Sequence, residues 1–533
     1  MPDARVPTSS RARRASDGAA RALSGPVAVI DLGASAVRLV VAQIEPGQPP
    51  MVLEEASRGL QIGRDTFSSG RIGPSTMDAA VRAMAGFRSI MDGYGVVACR
   101  AVATSAVREA ANADIFLDRV RVRTGITIDV IDGSEESRFT YLATRERLRN
   151  HPAAEAEHAL LLEVGGGSAD LTRLERMQPT QSGVYPLGAI RLRQMLASWH
   201  GPHEQRIRLL TRHIANVVYD VAQELRLGEA TDVIALGSDI RFAAARLVEP
   251  VDGFRTVPRD QLVSFVTDVE RLDEEELVER FRLPQVDAET LVPAMLVYRE
   301  LLVSTSATKV VVPDVSLRDG MLVDLAGAGQ DQSHADFERQ VLASAQTMGE
   351  KYRYDGEHAQ TVRRLAGQIF DQLKTEHSLG PRDRLLLDVA AILHDIGLFV
   401  GLRGHHKHSQ YILEAAEIFG LSRDDMKVIA NIARYHRRGV PQKTHLQYVS
   451  LSREDRVRVN KLAAILRLAN ALDAEHLTKV QEVKMRPQGE SLLIALEGTG
   501  DLTMERLVAA SRADMLTEVF GRRVVIAGAG VES

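Results

Sequence analysis

The sequence is short of cysteine, of aromatic residues and of long apolar runs. Cys99 is the one cysteine among 533 residues, which excludes an internal disulfide and a cysteine metal cluster and points to a reducing cytosol. Trp199 is the single tryptophan and aromatics make up 5% of the chain, as suits an α-rich protein of mixed class with aliphatic cores. No stretch approaches the ~18 uninterrupted apolar residues of a membrane span, so no membrane partner is expected. A formal charge of −5 gives no general attraction to nucleic acid or acidic lipid, and any positive surface for a polyanion has to be local. Neither GxxxxGK[ST] nor a GxGxxG after a strand occurs. If phosphate is handled, it is held in another way.

What the chain does have is two glycine-rich turns, each entered from an apolar strand that ends in a carboxylate. Val27–Ile30 leads into Asp31-Leu32-Gly33-Ala34-Ser35, and Leu160–Leu162 leads into Glu163-Val164-Gly165-Gly166-Gly167-Ser168. Both read as hairpins with wide turns. Glycine admits the positive φ of an amide nest, and backbone N–H groups with the hydroxyls of Ser35 and Ser168 suit phosphate oxygens. Asp31 or Glu163, at a strand end, is placed to hold Mg²⁺ beside that phosphate. Tight hairpins need glycine for structure alone, but two in similar frames imply a duplicated domain with phosphate between the copies.

A chain of this length exceeds one core. Residues 1–25, rich in Arg, Ser, Ala and Pro, read as a disordered tail. The pattern then gives a first α/β domain over 26–148, with Val97–Thr104 and Ile126–Ile131 as strands of a mostly parallel sheet. A second domain over 149–326 repeats the opening hairpin, adds helices from Leu187 to Leu227, a strand at Asp232–Leu236, a polar stretch at Asp252–Pro258 and a strand at Val310–Leu317. Residues 327–479 show helical spacing throughout. Residues 480–533 alternate again, in Ser491–Leu496 and Arg522–Ile526, as a small α+β domain.

The strand ends carry the chemistry, because ligands collect at the carboxyl ends of strands in open α/β sheets. Thr104, Ser105 and Arg108 follow one strand. Ser134-Glu135-Glu136-Ser137-Arg138 follows another and opens a helix. Helix capping is the plain alternative for Ser134 and Glu135, and a surface ion pair for Arg108. Phosphoryl transfer to water needs donors around the phosphate, a cation and an acceptor that orients the water, and this set supplies each.

These segments, with Leu317-Arg318-Asp319-Gly320, Leu393-His394-Asp395-Ile396-Gly397 and His405–Leu413, resemble in their order the exopolyphosphatase and guanosine pentaphosphate phosphatase family. The resemblance implies duplicated actin-like, ribonuclease-H-like α/β domains, then an all-α domain of HD type and the α+β end. It implies hydrolysis of the terminal phosphoanhydride of inorganic polyphosphate, or of guanosine pentaphosphate, in a cytoplasmic homodimer. The cofactor implied is Mg²⁺, with a monovalent cation as an open second requirement. By position, Glu136 orients or deprotonates the water with Glu135 beside it, and Arg108 clamps the phosphate chain. Gly33, Ala34, Ser35, Arg38, Thr104, Ser105, Gly165, Gly166, Gly167, Ser168, Gly237 and Ser238 surround phosphate, and Asp31, Glu163 and Asp170 hold metal. The family usually has Asp before the second turn and Glu after it, whereas Glu163 and Asp170 stand here with lengths exchanged. Ala34-Ser35-Ala36 and Gly237-Ser238-Asp239 are also leaner in donors than the family pattern.

His394-Asp395 resembles the signature of HD phosphohydrolases, which implies a metal site from His358, His394, Asp395 and Asp473, with His405, His408 and His436 nearby. Longer family members often keep this domain as scaffold with an incomplete ligand set. Lys407, Arg434, Arg437, Arg438, Arg453, Arg456, Arg458, Lys461 and Arg467 cluster in the same region. Lys407, His408, Arg437, Arg458 and Lys461 are the expected lining of a polyphosphate channel; a solvated helix face is the plain alternative. An HD phosphohydrolase with regulatory first domains and a non-enzymatic actin-like scaffold are the readings from other classes.

Overall fold

Each hairpin expected at a glycine turn opens a sheet in the computed structural model, which describes residues 24–197, 201–327, 331–437 and 439–527. The expected tail lies outside the described residues as far as residue 23, and so does Arg438. The chain divides into two units, Met1–Asp336 and Phe337–Ser533.

The first unit contains the duplication. Strands β1 (Gly25–Leu32), β2 (Ala36–Ile44) and β3 (Met51–Gly59) form an antiparallel meander. β4 (Ala98–Ala103) and β5 (Ile128–Val130) add in parallel, giving the order β3-β2-β1-β4-β5. The second sheet repeats the plan. β6 (His158–Val164), β7 (Ala169–Glu175) and β8 (Gln178–Tyr185) are its meander, and β9 (Asp232–Leu236) lies parallel to β6. The order is β10-β11-β9-β6-β7-β8, with β10 (Phe254–Pro258) antiparallel to β11 (Lys309–Pro313) at the edge. The stretch read as polar at Asp252–Pro258 is therefore an edge strand. Its alternation is short, and only Phe254 and Val257 are buried.

The central strands are buried on both faces and read as continuous apolar runs, Val27–Ile30 and Ala159–Leu162. In register, Asp31 faces Arg38 across the first turn and Glu163 faces Asp170 across the second. Directly opposed residues of an antiparallel pair share a face, so each turn carries a pair of charged groups on one side.

Helix α1 (Gly133–Arg147) starts where β5 ends. Its N-cap is Asp132, whose carboxylate accepts the N–H of Glu135 at 3.2 Å. Capping thus falls to Asp132 rather than to Ser134 or Glu135, a contribution of about 1 kcal/mol. Further along lie α2 (Ala189–Met195), α3 (Gln285–Val303) and α4 (Leu317–Gly327). α4 ends the segment assigned to the second domain yet packs on α1 of the first, where a Cβ on Gly320 would overlap the carbonyl oxygen of Phe139. Asp324 of α4 bonds both Arg100 and Arg138 at 2.5 Å.

The second unit is helical as expected, with α5 (Gly356–Gln372), α6 (Pro381–Leu393), α7 (His405–Ala415), α8 (Arg423–Arg434) and α9 (Arg453–Ala471). The apolar run to Val400 is α6 followed by a separate 3₁₀ turn, Ile396–Phe399. β12 (Val480–Gln488), β13 (Ser491–Gly498) and β14 (Arg523–Ile526) form the terminal sheet. Val480, Val483, Leu492, Ile494 and Leu496 belong to the same buried cluster as the helices, so this segment has no core of its own. Among the described residues no helix is long and apolar enough to cross a membrane.

Candidate active site

The two glycine turns have one local geometry. The N–H of Gly33 bonds the carbonyl of Ala36 at 3.0 Å, and that of Gly165 bonds the carbonyl of Ser168 at 2.9 Å. Neither Gly33 nor Gly165–Gly167 has positive φ; of the expected phosphate-binding glycines only Gly237 does, at 120°. The expectation of left-handed nests at the two hairpin turns is therefore corrected. At Gly166 and Gly167 glycine is needed for close approach, whereas a Cβ on Gly33 or Gly165 would make only ordinary contacts at 3.5 and 3.6 Å. A Cβ on Gly166 would stand 2.9 Å from the Cβ of Ala34, and one on Gly167 would overlap Ser105 Oγ and stand 2.6 Å from Phe67. The first turn, the second turn and the Thr104–Ser105 junction thus meet with room for nothing larger than glycine.

Three carboxylates gather over this junction. Asp31 and Glu136 are buried and Glu163 is half-buried, and each has its pKa raised, chiefly by removal from water. Glu136 is pushed up to about 7, with the charges of Glu163 and Asp31 adding to burial and Arg108 opposing it. Glu163 is likewise raised further by Asp31. Acids that raise one another's pKa are close enough to repel.

Arginines surround the acids. Arg108 Nη1 donates to Glu136 Oε1 at 2.8 Å and to the carbonyl of Ile131 at 2.5 Å. Arg38 Nη1 and Arg318 Nη1 lie 3.9 and 3.6 Å from Asp31 Oδ2. Arg38 is more than one third exposed, and so is placed to meet a ligand from solvent. Thr140, one turn after Glu136 on α1, bonds the Glu136 carbonyl at 2.8 Å and approaches Glu163 Oε2 at 3.4 Å. Asp170 exerts its charge on Arg108.

Four residues of this site were outside the expected set. Arg318 begins α4, and nothing local in Arg318-Asp319-Gly320 beyond a turn signal connects it with Asp31. Arg241 lowers the pKa of Glu163. Tyr298 of α3 is buried among apolar side chains, where its hydroxyl accepts the N–H of Val164 at 3.1 Å and donates to the carbonyl of Leu236. It ties together the ends of β6 and β9, just before Gly165 and Gly237. Arg191 of α2 donates to the Gly167 carbonyl at 2.7 Å and to Glu109 at 2.6 Å while covering Phe67 at 4.3 Å. Ser238, at the first turn of its helix, is exposed.

In the second unit, His394 and Asp395 meet His405 and His436, whereas His358 bonds Asp473 at 2.8 Å. The expected basic stripe is corrected. Arg458 bonds Asp383 at 2.6 Å and Asp455 at 3.1 Å, and Lys461 donates to the His377 carbonyl at 2.7 Å. Arg456 bonds the carbonyls of Val449 and Leu451, and buried Arg467 pairs with Asp514. These charges face acceptors of the fold. Lys407, Arg437 and Arg453 are exposed and His408 is half-buried.

Comparison with known proteins follows the same division. The model of the Ppx/GppA phosphatase family matches residues 40–328, and that of Ppx/GppA phosphatase domain III matches residues 341–506. Exopolyphosphatase 1 of Mycobacterium leprae is 30% identical over 280 residues, covering 50% of this chain and 80% of its own. Exopolyphosphatase 1 of Mycobacterium tuberculosis is 29% identical over 276 residues, covering 50% of this chain and 79% of its own. The crystal structure of an exopolyphosphatase from Cytophaga hutchinsonii gives a TM-score of 0.51 at 20% identity, over 56% of this chain and 97% of that one. That likeness carries the fold, the duplicated actin-like α/β architecture.

Proposed function

The chain belongs to the Ppx/GppA phosphatase family, and from that premise we propose that it is an exopolyphosphatase, which hydrolyses the terminal phosphoanhydride of inorganic polyphosphate. The exopolyphosphatase names of the mycobacterial relatives support polyphosphate over guanosine pentaphosphate as substrate. The observation that carries the reaction is the position of Glu136, a buried carboxylate at the start of α1 with its pKa pushed up to about 7 and Arg108 bonded to it.

The terminal phosphate sits against the junction of the two glycine turns, where backbone amides and Ser35, Ser105 and Ser168 are the neutral donors. Arg38, Arg108 and Arg318 balance its charge. Glu136 accepts a proton from water as the water oxygen bonds to the terminal phosphorus. The bridging P–O bond breaks, orthophosphate leaves, and the shortened chain takes up the electron pair. A base whose pKa lies near the working pH combines the ionised form with useful driving force.

Asp31, Glu136 and Glu163 fit a hard divalent cation, because three carboxyls close enough to repel one another offer the oxygen ligands such a cation takes. Asp31 and Glu163 are the residues that would hold Mg²⁺, with Asp170 in register beside Glu163. When bound, the cation neutralises charge on the phosphate oxygens. The test is orthophosphate release from polyphosphate by the full chain and by Glu136→Gln. Loss of turnover with retained substrate binding is expected, and undiminished turnover in the folded variant overturns the assignment.

A further inference from the structure

Three consecutive carbonyls of the second glycine turn are held by one short helix. The Gly165 carbonyl accepts the N–H of Ala189 at 2.9 Å, and the Gly166 carbonyl accepts those of Ile190 and Arg191 at 2.9 and 3.1 Å. The Gly167 carbonyl is held by a side chain of the same helix, Arg191, whose Nε donates to it at 2.7 Å. Gly188, just before α2, lets the two segments meet, since a Cβ there would overlap the Gly167–Ser168 peptide.

A trans peptide is planar, with its N–H directed opposite to its C=O. Holding the carbonyls of Gly165, Gly166 and Gly167 on α2 therefore turns the N–H groups of Gly166, Gly167 and Ser168 away from it. Among the described residues these three N–H groups donate to no acceptor of the protein. Gly167 and Ser168 are buried, and a buried N–H without a partner is rare in a folded chain. Successive amides left open in this way suit an anion.

Arg191 is fastened at its far end to the half of the unit built on the first sheet. Its Nη2 donates to Glu109 Oε1 at 2.6 Å, and its guanidinium lies 4.3 Å from the centre of the Phe67 ring. Glu109 directly follows Arg108, which bonds Glu136. The Glu109 carboxylate is 42% exposed, and a pair so open to water adds little to stability. Its consequence is orientation: with Nη2 on Glu109 and the plane on Phe67, Nε has one direction left. A lysine ammonium lacks the planar fork that reaches a carbonyl and a carboxylate at once.

We infer that Arg191 is a positioning residue, which aims the Ser168 N–H at the terminal phosphate by holding the Gly167 carbonyl against Glu109 and Phe67. The inference rests on the reading of this cleft as the phosphate site. Arg191 itself touches no reacting atom, so its effect reaches the phosphate only through the turn.

The test compares the full-length wild type with Arg191→Lys, Arg191→Met and, as a control on the same helix, Arg193→Met, which removes a 3.1 Å pair with Glu289. Arg191→Met is expected to lower kcat/KM by about 10²-fold, on long polyphosphate and on tripolyphosphate alike. Arg191→Lys keeps part of the activity, and Arg193→Met keeps all of it. A role confined to folding lowers the melting temperature but leaves kcat and KM of the folded protein unchanged, and that result overturns the inference. So does a loss confined to long chains. Tripolyphosphate binding in the Glu136→Gln background, read by calorimetry with Mg²⁺ present, separates this inference from the proposed activity. If the wild type releases no orthophosphate from polyphosphate, the proposed function fails. Binding weakened about tenfold by Arg191→Lys or Arg191→Met then still supports the role of Arg191, whereas binding unchanged in both removes it.

Discussion

Arg108 and Glu136 are joined by a 2.8 Å charge-assisted hydrogen bond, and the same guanidinium nitrogen holds the carbonyl of Ile131. Arg108 therefore fixes the proposed base to the end of the strand that delivers it. Replacing Glu136 by Gln keeps the shape and a partner for Arg108 but removes the proton acceptor, so kcat falls by about 10²- to 10⁴-fold with KM little changed. Glu135→Gln has the smaller effect, because Glu135 is bonded to the Asp132 cap through its backbone. Steady-state orthophosphate release measures both.

Burial and the charges of Glu163 and Asp31 set a pH dependence. With the Glu136 pKa raised to about 7, the group is protonated and inactive as a base on the acid side. Activity at limiting Mg²⁺ rises with pH through about 7. Added Mg²⁺ moves that limb to lower pH, since a cation favours the ionised acids. A profile flat from pH 5 to 8, ~1–2 units either side of the expected limb, contradicts this placement of the base.

Asp31 and Glu163 answer for the cation. Asp31→Asn and Glu163→Gln each raise the Mg²⁺ needed for half-maximal rate by roughly tenfold or more, because a neutral oxygen does not replace the lost charge. A Mg²⁺ titration unchanged in both variants moves the cation elsewhere.

Asp324 contributes stability rather than chemistry. It pairs with Arg100 and Arg138, and its side chain is 21% exposed. Asp324→Ala leaves two guanidinium groups without this partner and costs roughly 2–3 kcal/mol, below the ~3–5 of a fully buried pair. Burial raises the Asp324 pKa, but Arg138 and Arg100 outweigh it and hold the group below its ordinary value. The pair's contribution is thus complete above the unfolded-state pKa and is lost as pH falls through the lower folded one. Thermal melts at pH 7 and at pH 3 measure the difference, which is larger at pH 7.

The legible part of the site lay in contiguous words. Asp31 and Glu163 precede their glycines, and Glu136 follows a strand, so strand ends and turn signals were enough to bring them together. Arg318, Arg241 and Tyr298 come from segments 62 residues or more from the acids or backbone ends they serve, and α4 reaches Asp31 only by crossing back to the first sheet. The positive φ expected of the glycines of the two turns is absent, and at Gly166 and Gly167 crowding between turns takes its place, which leaves no mark in sequence that separates it from positive φ. The basic stripe failed for a related reason. Sequence shows that Arg458 and Lys461 share a helix but not that Asp383 and the His377 carbonyl wait beside them.

Orthophosphate release from long-chain polyphosphate and from guanosine pentaphosphate, measured side by side on the full chain with Mg²⁺ titrated, tests the proposed function most directly. Mg²⁺-dependent release from polyphosphate is expected to dominate, to vanish in Glu136→Gln and to persist in His394→Gln. Preferential hydrolysis of guanosine pentaphosphate, or polyphosphate hydrolysis that survives loss of Glu136 and disappears with His394, contradicts it.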